Sequence, residues 1–318
     1  MAASLEAPQL SPALSVPEST STVNVRVIDT NTLVFLKPEL FWQPEIDGFA
    51  GLHAPIYCFL ISNGNRHVVF DLGVRPDWQN YAPKIVSLIK ATTVVTPGSD
   101  VASMLDSDDS GVNIRSIDVE AVIWSHNHFD HIGDVSTFPP TTDLVVGPGV
   151  RAVSWPGWPQ QPEAIVRDSD AEGRVVHEIS FETSLKIGRF DAFDFFGDGS
   201  FYLLSAPGHA VGHLCALART TAGDNPSFVF MGADACHHPG VLRPSNYLFL
   251  PPEAELQHGL SSPEQCPGAL LQRHLTSPNE PFFTVSDGPL FPDRDAAMDT
   301  DTSVPEDDQS MESKSAKN

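Results

Sequence analysis

The six residues HNHFDH at 126–131 limit what this chain can fold into more than any other stretch of its sequence. They follow VEAVIW, an apolar run typical of a buried strand, so the histidines occupy the loop that leaves the sheet, where functional sites are commonly built. Neutral imidazoles and a carboxylate are zinc ligands, and their alternation lets His126 and His128 face one ion while Asp130 and His131 face a neighbouring position. A histidine-rich surface loop, or histidines paired within the core, is the alternative interpretation. The pattern favours a metal site at the end of a strand.

Two later segments repeat this arrangement of an apolar run that ends at a polar residue. SFYLLSAPGH places His209 after a Pro-Gly turn, and SFVFMGADACHH reaches Asp234, with His237 and His238 just beyond. Each segment alone is a weak signal, because an aspartate or histidine after a strand often only caps the backbone. In combination, the three strand ends are a much more specific indication of a metal site.

Short runs of β-branched and aromatic residues recur along the chain with turn residues after them, among them VNVRVI (23–28), TLVFL (32–36) and IYCFLIS (56–62). Helical patterns lie between some of these runs, as in YAPKIVSLIK (81–90) and PGALLQRHL (267–275). Strands with interspersed helices predict an α+β fold of two stacked sheets covered by helices.

The two ends of the chain differ in composition from the middle. Residues 1–22 are rich in Ser, Pro and Ala, and residues 292–318 are polar and acidic, so both segments are predicted to be disordered. Residues 23–291 form the predicted domain. The start lacks the basic and apolar regions of a signal peptide, and the four cysteines have no CxxC spacing, which together favour a reducing, cytoplasmic setting.

The charge of the chain restricts its partners. The formal net charge is −23 at pH 7, so nucleic acid and anionic membrane surfaces would repel the protein. No apolar run approaches the roughly 18 residues of a membrane span. The expected partner is therefore a small-molecule substrate that is neutral or weakly charged.

The strand-end motifs resemble, in order and in content, those of the metallo-β-lactamase superfamily. HNHFDH is similar to the HxHxDH signature of that family, PGH at 207–209 to its next metal histidine and GAD at 232–234 to its bridging aspartate. Upstream, VVFDLG at 68–73 resembles the family's strand that ends in an Asp-x-Gly turn. The resemblance covers about residues 23–290 and implies an αββα four-layer sandwich with a site for two zinc ions at one edge of the sheets.

The resemblance also assigns ligands residue by residue. It implies that the first zinc is held by His126, His128 and His209. It implies that the second zinc is held by Asp130 and His131, and that the carboxylate of Asp234 bridges the two ions. Asp71 either supports the ligands from behind or is a simple turn residue.

One position departs from the family pattern. Members usually supply a last histidine to the second metal from a late strand, and the strand PFFTVSDG has Ser286 where that histidine is expected. His274, within the helical pattern LLQRHL, is the candidate replacement. The second site is therefore expected to be weaker, open or completed by water.

Within the superfamily, the pattern is most similar to the branch that opens N-acyl homoserine lactones. This likeness implies that a metal-bridging hydroxide, oriented by Asp130 and Asp234, attacks the carbonyl of a hydrophobic lactone and yields a hydroxy acid. His237 takes the place of a substrate-binding tyrosine and would donate to the carbonyl, and either His237 or Asp234 would protonate the leaving oxygen. A lactamase or a thioesterase on the same fold is one alternative, and a metal-binding scaffold without turnover is another; the oligomeric state stays open.

Two aromatic and proline-rich loops are candidates for the walls of an apolar pocket. They are FWQPEIDGFAGLHAP at 41–55 and SWPGWPQQP at 154–162. The other interpretation is that they cover the core or a dimer surface.

Overall fold

Two β-sheets lie face to face in the structure, a computed structural model that describes residues 9–45, 48–108, 111–248 and 280–285. The strands in chain order are β1 Asn24–Leu36, β2 Trp42–Gln43, β3 Leu52–Asn63, β4 Arg66–Phe70, β5 Val95–Thr96, β6 Ala121–Ile123, β7 Asp143–Val146, β8 Val176–Glu178, β9 Lys186–Ile187, β10 Phe190–Asp194, β11 Phe201–Ser205, β12 Leu214–Arg219, β13 Phe228–Met231 and β14 Thr284–Val285. The α-helices are α1 Pro83–Thr92, α2 Val101–Asp106, α3 Phe129–Ile132 and α4 Val150–Ser154.

The first sheet has seven strands in the order β5-β1-β3-β4-β6-β7-β8. Its first half is antiparallel, whereas β4, β6, β7 and β8 pair in parallel. The parallel register pairs Phe70 with Ile123, and the Asp71 N–H donates to the Ile123 carbonyl at 2.9 Å. Because parallel strands end at the same edge of a sheet, the residues that follow β4 and β6 meet there.

Strand β1 unites two runs that the sequence predicts as separate strands. VNVRVI and TLVFL both pair with β3, on either side of a register shift between Asp29 and Leu33. Asn31 has a φ of 57°, a left-handed conformation that asparagine tolerates better than most residues. The chain therefore bulges at this point instead of ending the strand.

The second sheet is antiparallel, with the order β13-β12-β11-β10-β9. Alternate side chains of its strands face the first sheet and fill the space between the two sheets. This inner core includes Ile61, Val68, Phe70, Ile123, Phe201, Leu203, Leu214, Ala216 and Met231. The α+β sandwich expected from the sequence is confirmed.

The helices pack on the outer face of the first sheet. The helix expected in YAPKIVSLIK is α1, which begins with a proline in its first turn and buries Ile85 and Ile89 in the outer core. The helical pattern at 267–275 lies outside the described residues. Among the helices of the described residues, none combines the length and the apolar character needed to cross a membrane.

The composition of residues 9–22 predicts disorder, but in the structure these residues lie along the outer face of the second sheet. The Leu14 carbonyl accepts from the Gly188 N–H, and the Pro17 carbonyl accepts from the Arg219 guanidinium. Arg219 is buried, and a buried guanidinium needs acceptors that local composition does not reveal. Residues 1–8 and the acidic segment 292–318 lie outside the described residues.

Tyr81 connects the start of α1 to the loop after β6. Its hydroxyl donates to the Phe129 carbonyl at 2.6 Å and accepts from the Arg75 N–H at 3.0 Å. We expect Tyr81→Phe to lower the free energy of unfolding by about 1–3 kcal/mol, because it leaves both buried backbone groups unpaired. Urea denaturation measures this change. Tyr57→Phe is the matched control, because Tyr57 is 47% exposed; an equal loss in the two variants would contradict the assignment.

Candidate metal centre

The loop after β6 carries polar side chains into a buried position. The His126 and His128 side chains are buried, and the backbone around them is tied down by the Trp124 indole, whose Nε1 donates to the Ile132 carbonyl at 3.1 Å. The hydrogen bond from Tyr81 to Phe129 holds the middle of the same loop. Neither histidine can move to solvent without breaking this packing.

Four side chains direct one donor atom each toward a common point. His128 Nδ1 lies 2.9 Å from both His126 Nε2 and His209 Nε2. Asp234 Oδ2 lies 3.2 Å from His209 Nε2 and 3.7 Å from His126 Nε2. These residues form the first donor group, which brings together side chains from both sheets.

A second donor group adjoins the first and shares Asp234 with it. His131 Nε2 lies 3.0 Å from Asp234 Oδ1 and 3.7 Å from Asp130 Oδ2. The structure thus brings together all six residues that the sequence proposes as metal ligands, with Asp234 between the two groups. Ser286 and His274, the positions at issue for a further ligand, lie outside the described residues.

The first donor group fits a tetrahedral metal ion. With zinc–nitrogen distances of about 2.0–2.1 Å, neighbouring donors around one zinc lie about 3.3 Å apart. The distances observed between neighbouring donors are 2.9–3.7 Å, and the ligand atoms of each group lie within 4.8 Å of one another. The second group supplies three donors from the described residues.

The electrostatic environment also suits a cation. Burial, reinforced by neighbouring imidazoles, lowers the pKa of His126 and of His128 well below the ordinary value, so both rings are neutral and can offer a lone pair. Burial alone would lower the pKa of His131, but the carboxylates around it, Asp234 foremost, raise it well above the ordinary value. Burial alone would raise the pKa of Asp234, and His131 outweighs this effect and lowers it. Two neutral imidazoles beside an ionised, partly buried carboxylate form a donor set that suits a divalent metal.

Asp71 lies behind the candidate ligands rather than in a simple turn. Its Oδ2 is 2.8 Å from His131 Nδ1, and its Oδ1 accepts from the Ser125 N–H at 2.7 Å. Asp71 has a φ of 62°, which directs the side chain across the sheet edge toward the loop after β6. A carboxylate behind a ligating histidine orients the ring and fixes which nitrogen carries the proton.

Sequence reasoning missed two further residues, Ser125 and His213. The Ser125 hydroxyl lies 3.0 Å from His126 Nδ1 and 3.3 Å from His131 Nδ1. His213 Nε2 accepts from the Asp234 N–H at 3.2 Å. His213 is the second histidine of PGHAVGH, and this repeated Gly-His was the only sequence signal for it. Its partner Asp234 lies in a distant segment, so the contact could not be foreseen.

His237 lies against the Asp234 carboxylate, which both donor groups share. Its Nε2 is 3.1 Å from Asp234 Oδ2, and its ring centroid is 4.6 Å from that of Phe41 and 5.0 Å from that of His209. The adjacent His238 points elsewhere, since its ring packs on Trp42 at 4.8 Å. The two neighbouring histidines therefore have different surroundings.

A mainly apolar cavity of about 40 Å³ opens onto the two donor groups and is continuous with solvent. Its floor is made by His128, Phe129, Asp130, His209 and Asp234. Its walls are made by the end of β1, the turn after it and the end of α1, through Val34, Phe35, Leu36, Lys37, Leu40, Phe41, Leu88, Thr92 and Thr93.

The two aromatic loops have different positions. From the loop at 41–55, Phe41 lines the cavity, whereas Trp42 is completely buried. From the loop at 154–162, Trp155 stacks on Trp124 with ring centroids 5.9 Å apart and packs against the outer core. The first loop thus contributes to the pocket wall, and this part of the second covers the core.

The chain is similar to several known proteins. The model of the metallo-beta-lactamase superfamily matches residues 53–220. Metallo-hydrolase mfmC of Annulohypoxylon moriforme is 72% identical over 303 residues, which are 95% of this chain and 80% of that protein. Gamma-lactamase FDB1 of Fusarium pseudograminearum is 46% identical over 297 residues, which are 90% of this chain and 71% of that protein.

A third relative is much longer than this chain. Cytochrome P450 monooxygenase mpaDE of Penicillium roqueforti is 53% identical over 304 residues, which are 94% of this chain and 34% of that protein. This chain therefore spans about a third of that relative. The family match and the relatives agree with the strand-end motifs and with the observed sandwich, and the chain belongs to the metallo-beta-lactamase superfamily as a hydrolase.

Proposed function

We propose that this protein is a metal-dependent hydrolase that opens the ring of a hydrophobic lactone. The observation that carries the proposal is the Asp234 carboxylate, which belongs to both donor groups and lies at the floor of an apolar cavity. In this proposal His126, His128, His209 and Asp234 hold the first metal, and Asp130, His131 and Asp234 hold the second.

The residues of the site have separate tasks in this reaction. A bound divalent metal such as zinc supplies Lewis acidity and hydroxide near neutral pH. Asp130 and Asp234 accept hydrogen bonds at the cavity floor and orient the attacking water there. His237 Nε2, 3.1 Å from Asp234 Oδ2, takes the proton that the attacking water loses and passes it to the ring oxygen when the bond from that oxygen to the acyl carbon breaks. Addition of water across that bond yields a hydroxy acid.

The cavity supports an apolar substrate. Its wall is mainly aliphatic and aromatic, with Leu36 at the end of β1 and with Leu40 and Phe41 in the turn that follows. Such a wall stabilises an acyl chain or a fused ring through burial of apolar surface. Among the described residues that line the cavity, Lys37 is the one lysine or arginine.

A γ-lactam is the second candidate substrate. Two relatives named gamma-lactamase, FDB1 and MBL2 of Gibberella moniliformis, are 46% and 48% identical to this chain. The same donor groups serve a cyclic amide, because water adds to its carbonyl in the same way and the leaving nitrogen takes a proton in place of the leaving oxygen.

The first prediction for this site concerns metal content. Elemental analysis of the purified protein should find zinc, and His128→Ala should lower both the metal content and kcat/KM, the latter by more than about a hundredfold, because even residues behind a ligand cost about 10–100-fold. His177→Ala is the control, since that side chain is 53% exposed and pairs with Asp143 at the surface. Normal hydrolysis by the His128 variant would exclude the mechanism.

The second prediction separates the role of His237 from metal binding. His237→Phe should lower kcat by about a hundredfold, a usual contribution of a positioned acid, while the metal content stays at the wild-type value. His177→Phe controls for the change of ring. If the His237 variant kept wild-type turnover, its proposed role in proton transfer would be wrong.

The third prediction concerns which bond the protein hydrolyses, the ester of a lactone or the amide of a lactam. In assays of a γ-lactone and a γ-lactam that carry the same alkyl chain, we expect the lactone to have the higher kcat/KM by at least about tenfold, or 1.4 kcal/mol in transition-state energy. A higher value for the lactam would favour the second candidate. Metal-loaded protein that hydrolyses neither compound, nor an acyl thioester, would indicate a scaffold without turnover.

A further inference from the structure

The turn that carries Asp234 has a strained backbone. It spans Gly232 to Ala235, directly after β13, and Ala233 in it has a φ of 44°. A positive φ is unfavourable for an alanine, because its Cβ crowds the backbone, and such conformations persist only where surrounding contacts hold them. Some interaction must therefore hold this turn in the conformation that aims the Asp234 carboxylate at both donor groups.

Side chains next to and within β12 supply that interaction. The Asp234 N–H donates to His213 Nε2 at 3.2 Å, and the Cys215 thiol donates to the Gly232 carbonyl at 3.3 Å. The antiparallel register that pairs Ala216 with Met231 places His213 opposite Asp234 if it is continued past the end of the ladder. The imidazole thus accepts the hydrogen bond of the Asp234 N–H at the point where the backbone pairing of β12 and β13 has ended.

His213 is fixed on its other side to the loop that carries His209. Its Nδ1 lies 3.0 Å from the Ala206 carbonyl, the Ala206 N–H donates to the His213 carbonyl at 3.0 Å, and the His213 N–H donates to the Ala210 carbonyl at 3.2 Å. A carbonyl can only accept and the Asp234 amide can only donate. Both side-chain bonds therefore require a neutral ring with its proton on Nδ1. The His213 side chain itself is buried, at 1% exposed.

We propose that His213 is a positioning residue that locks the turn bearing Asp234 to the loop bearing His209. It belongs to neither donor group, and its Nε2 is occupied by the Asp234 amide. By joining the two segments through one rigid ring, it sets the distance at which Asp234 Oδ2 meets His209 Nε2. This inference rests on the proposed function, because the geometry that it sets is that of the metal ligands.

A matched pair of variants tests the proposal. In His213→Gln, the longer side chain can place its amide oxygen near the position of Nε2, where it can still accept from the Asp234 N–H. In His213→Asn, the shorter side chain reaches only the position of Nδ1, where its amide N–H can donate to the Ala206 carbonyl, so the bond to Asp234 is lost. Metal retained by the purified proteins is measured by elemental analysis as the concentration of a chelator rises. We expect the Asn variant to lose metal at a chelator concentration about 10–100-fold lower than wild type, and the Gln variant to stay within about threefold of wild type. Equal retention in the two variants, with thermal unfolding showing both to be folded, would overturn the proposal.

A second substitution tests the strain itself. Glycine adopts a positive φ without the penalty of a side chain, so Ala233→Gly should recover at least about fivefold of the metal retention lost in the Asn variant. In the wild-type chain, the same substitution should change retention by less than about twofold, because His213 already holds the turn. Failure to recover retention in the double variant would show that His213 does not act through this turn.

The protonated nitrogen of His213 can also be identified in the wild-type protein, so this test does not depend on whether a variant folds. Two-bond proton–nitrogen correlation spectra report which ring nitrogen of a histidine carries the proton. We expect the ring proton of His213 on Nδ1, because Nδ1 faces the Ala206 carbonyl and Nε2 faces the Asp234 N–H, and a proton on Nε2 would overturn the proposal. The two hypotheses fail differently: wild-type protein without bound metal contradicts the proposed function, whereas metal-loaded wild type with an unaffected Asn variant contradicts only the role of His213.

Discussion

Both oxygens of the Asp234 carboxylate are engaged, and the rest of the site is arranged around this one group. Oδ1 contacts His131, while Oδ2 contacts His209 and His237, so a single side chain joins imidazoles from three segments of the chain. A buried carboxylate is costly unless opposite charge or donors surround it. The first sheet supplies His131, and the second sheet supplies Asp234 itself. Electrostatics therefore fixes the relative position of the two sheets at this edge, in addition to the apolar core between them.

That the six candidate ligand side chains would lie together could be predicted from the sequence for a physical reason. Each candidate ligand follows an apolar run, and a buried strand must end where polar residues begin. His126, His209 and Asp234 all stand at such ends, which the sandwich brings to one edge. The same alternation of apolar runs and turns predicted the α+β class, and the spacing in YAPKIVSLIK predicted α1.

Other features depend on contacts between distant segments and were not predictable from local pattern. Ser125 and His213 act through partners that only the folded chain brings near. The segment at 9–22 has the composition of a disordered tail, yet the buried Arg219 of β12 provides a partner for its backbone. The bulge at Asn31 similarly joined two runs into β1, because pairing with β3 continues on both sides of it.

The pocket wall and the metal-binding candidates come from different parts of the chain. The wall is built by residues 34–41 and the end of α1, whereas the candidate ligands follow β6, β11 and β13. Mutations in residues 34–41 can therefore alter which molecule enters without displacing a donor atom. In such an architecture the two parts of the wall can diversify while the edge that carries the candidate ligands stays unchanged.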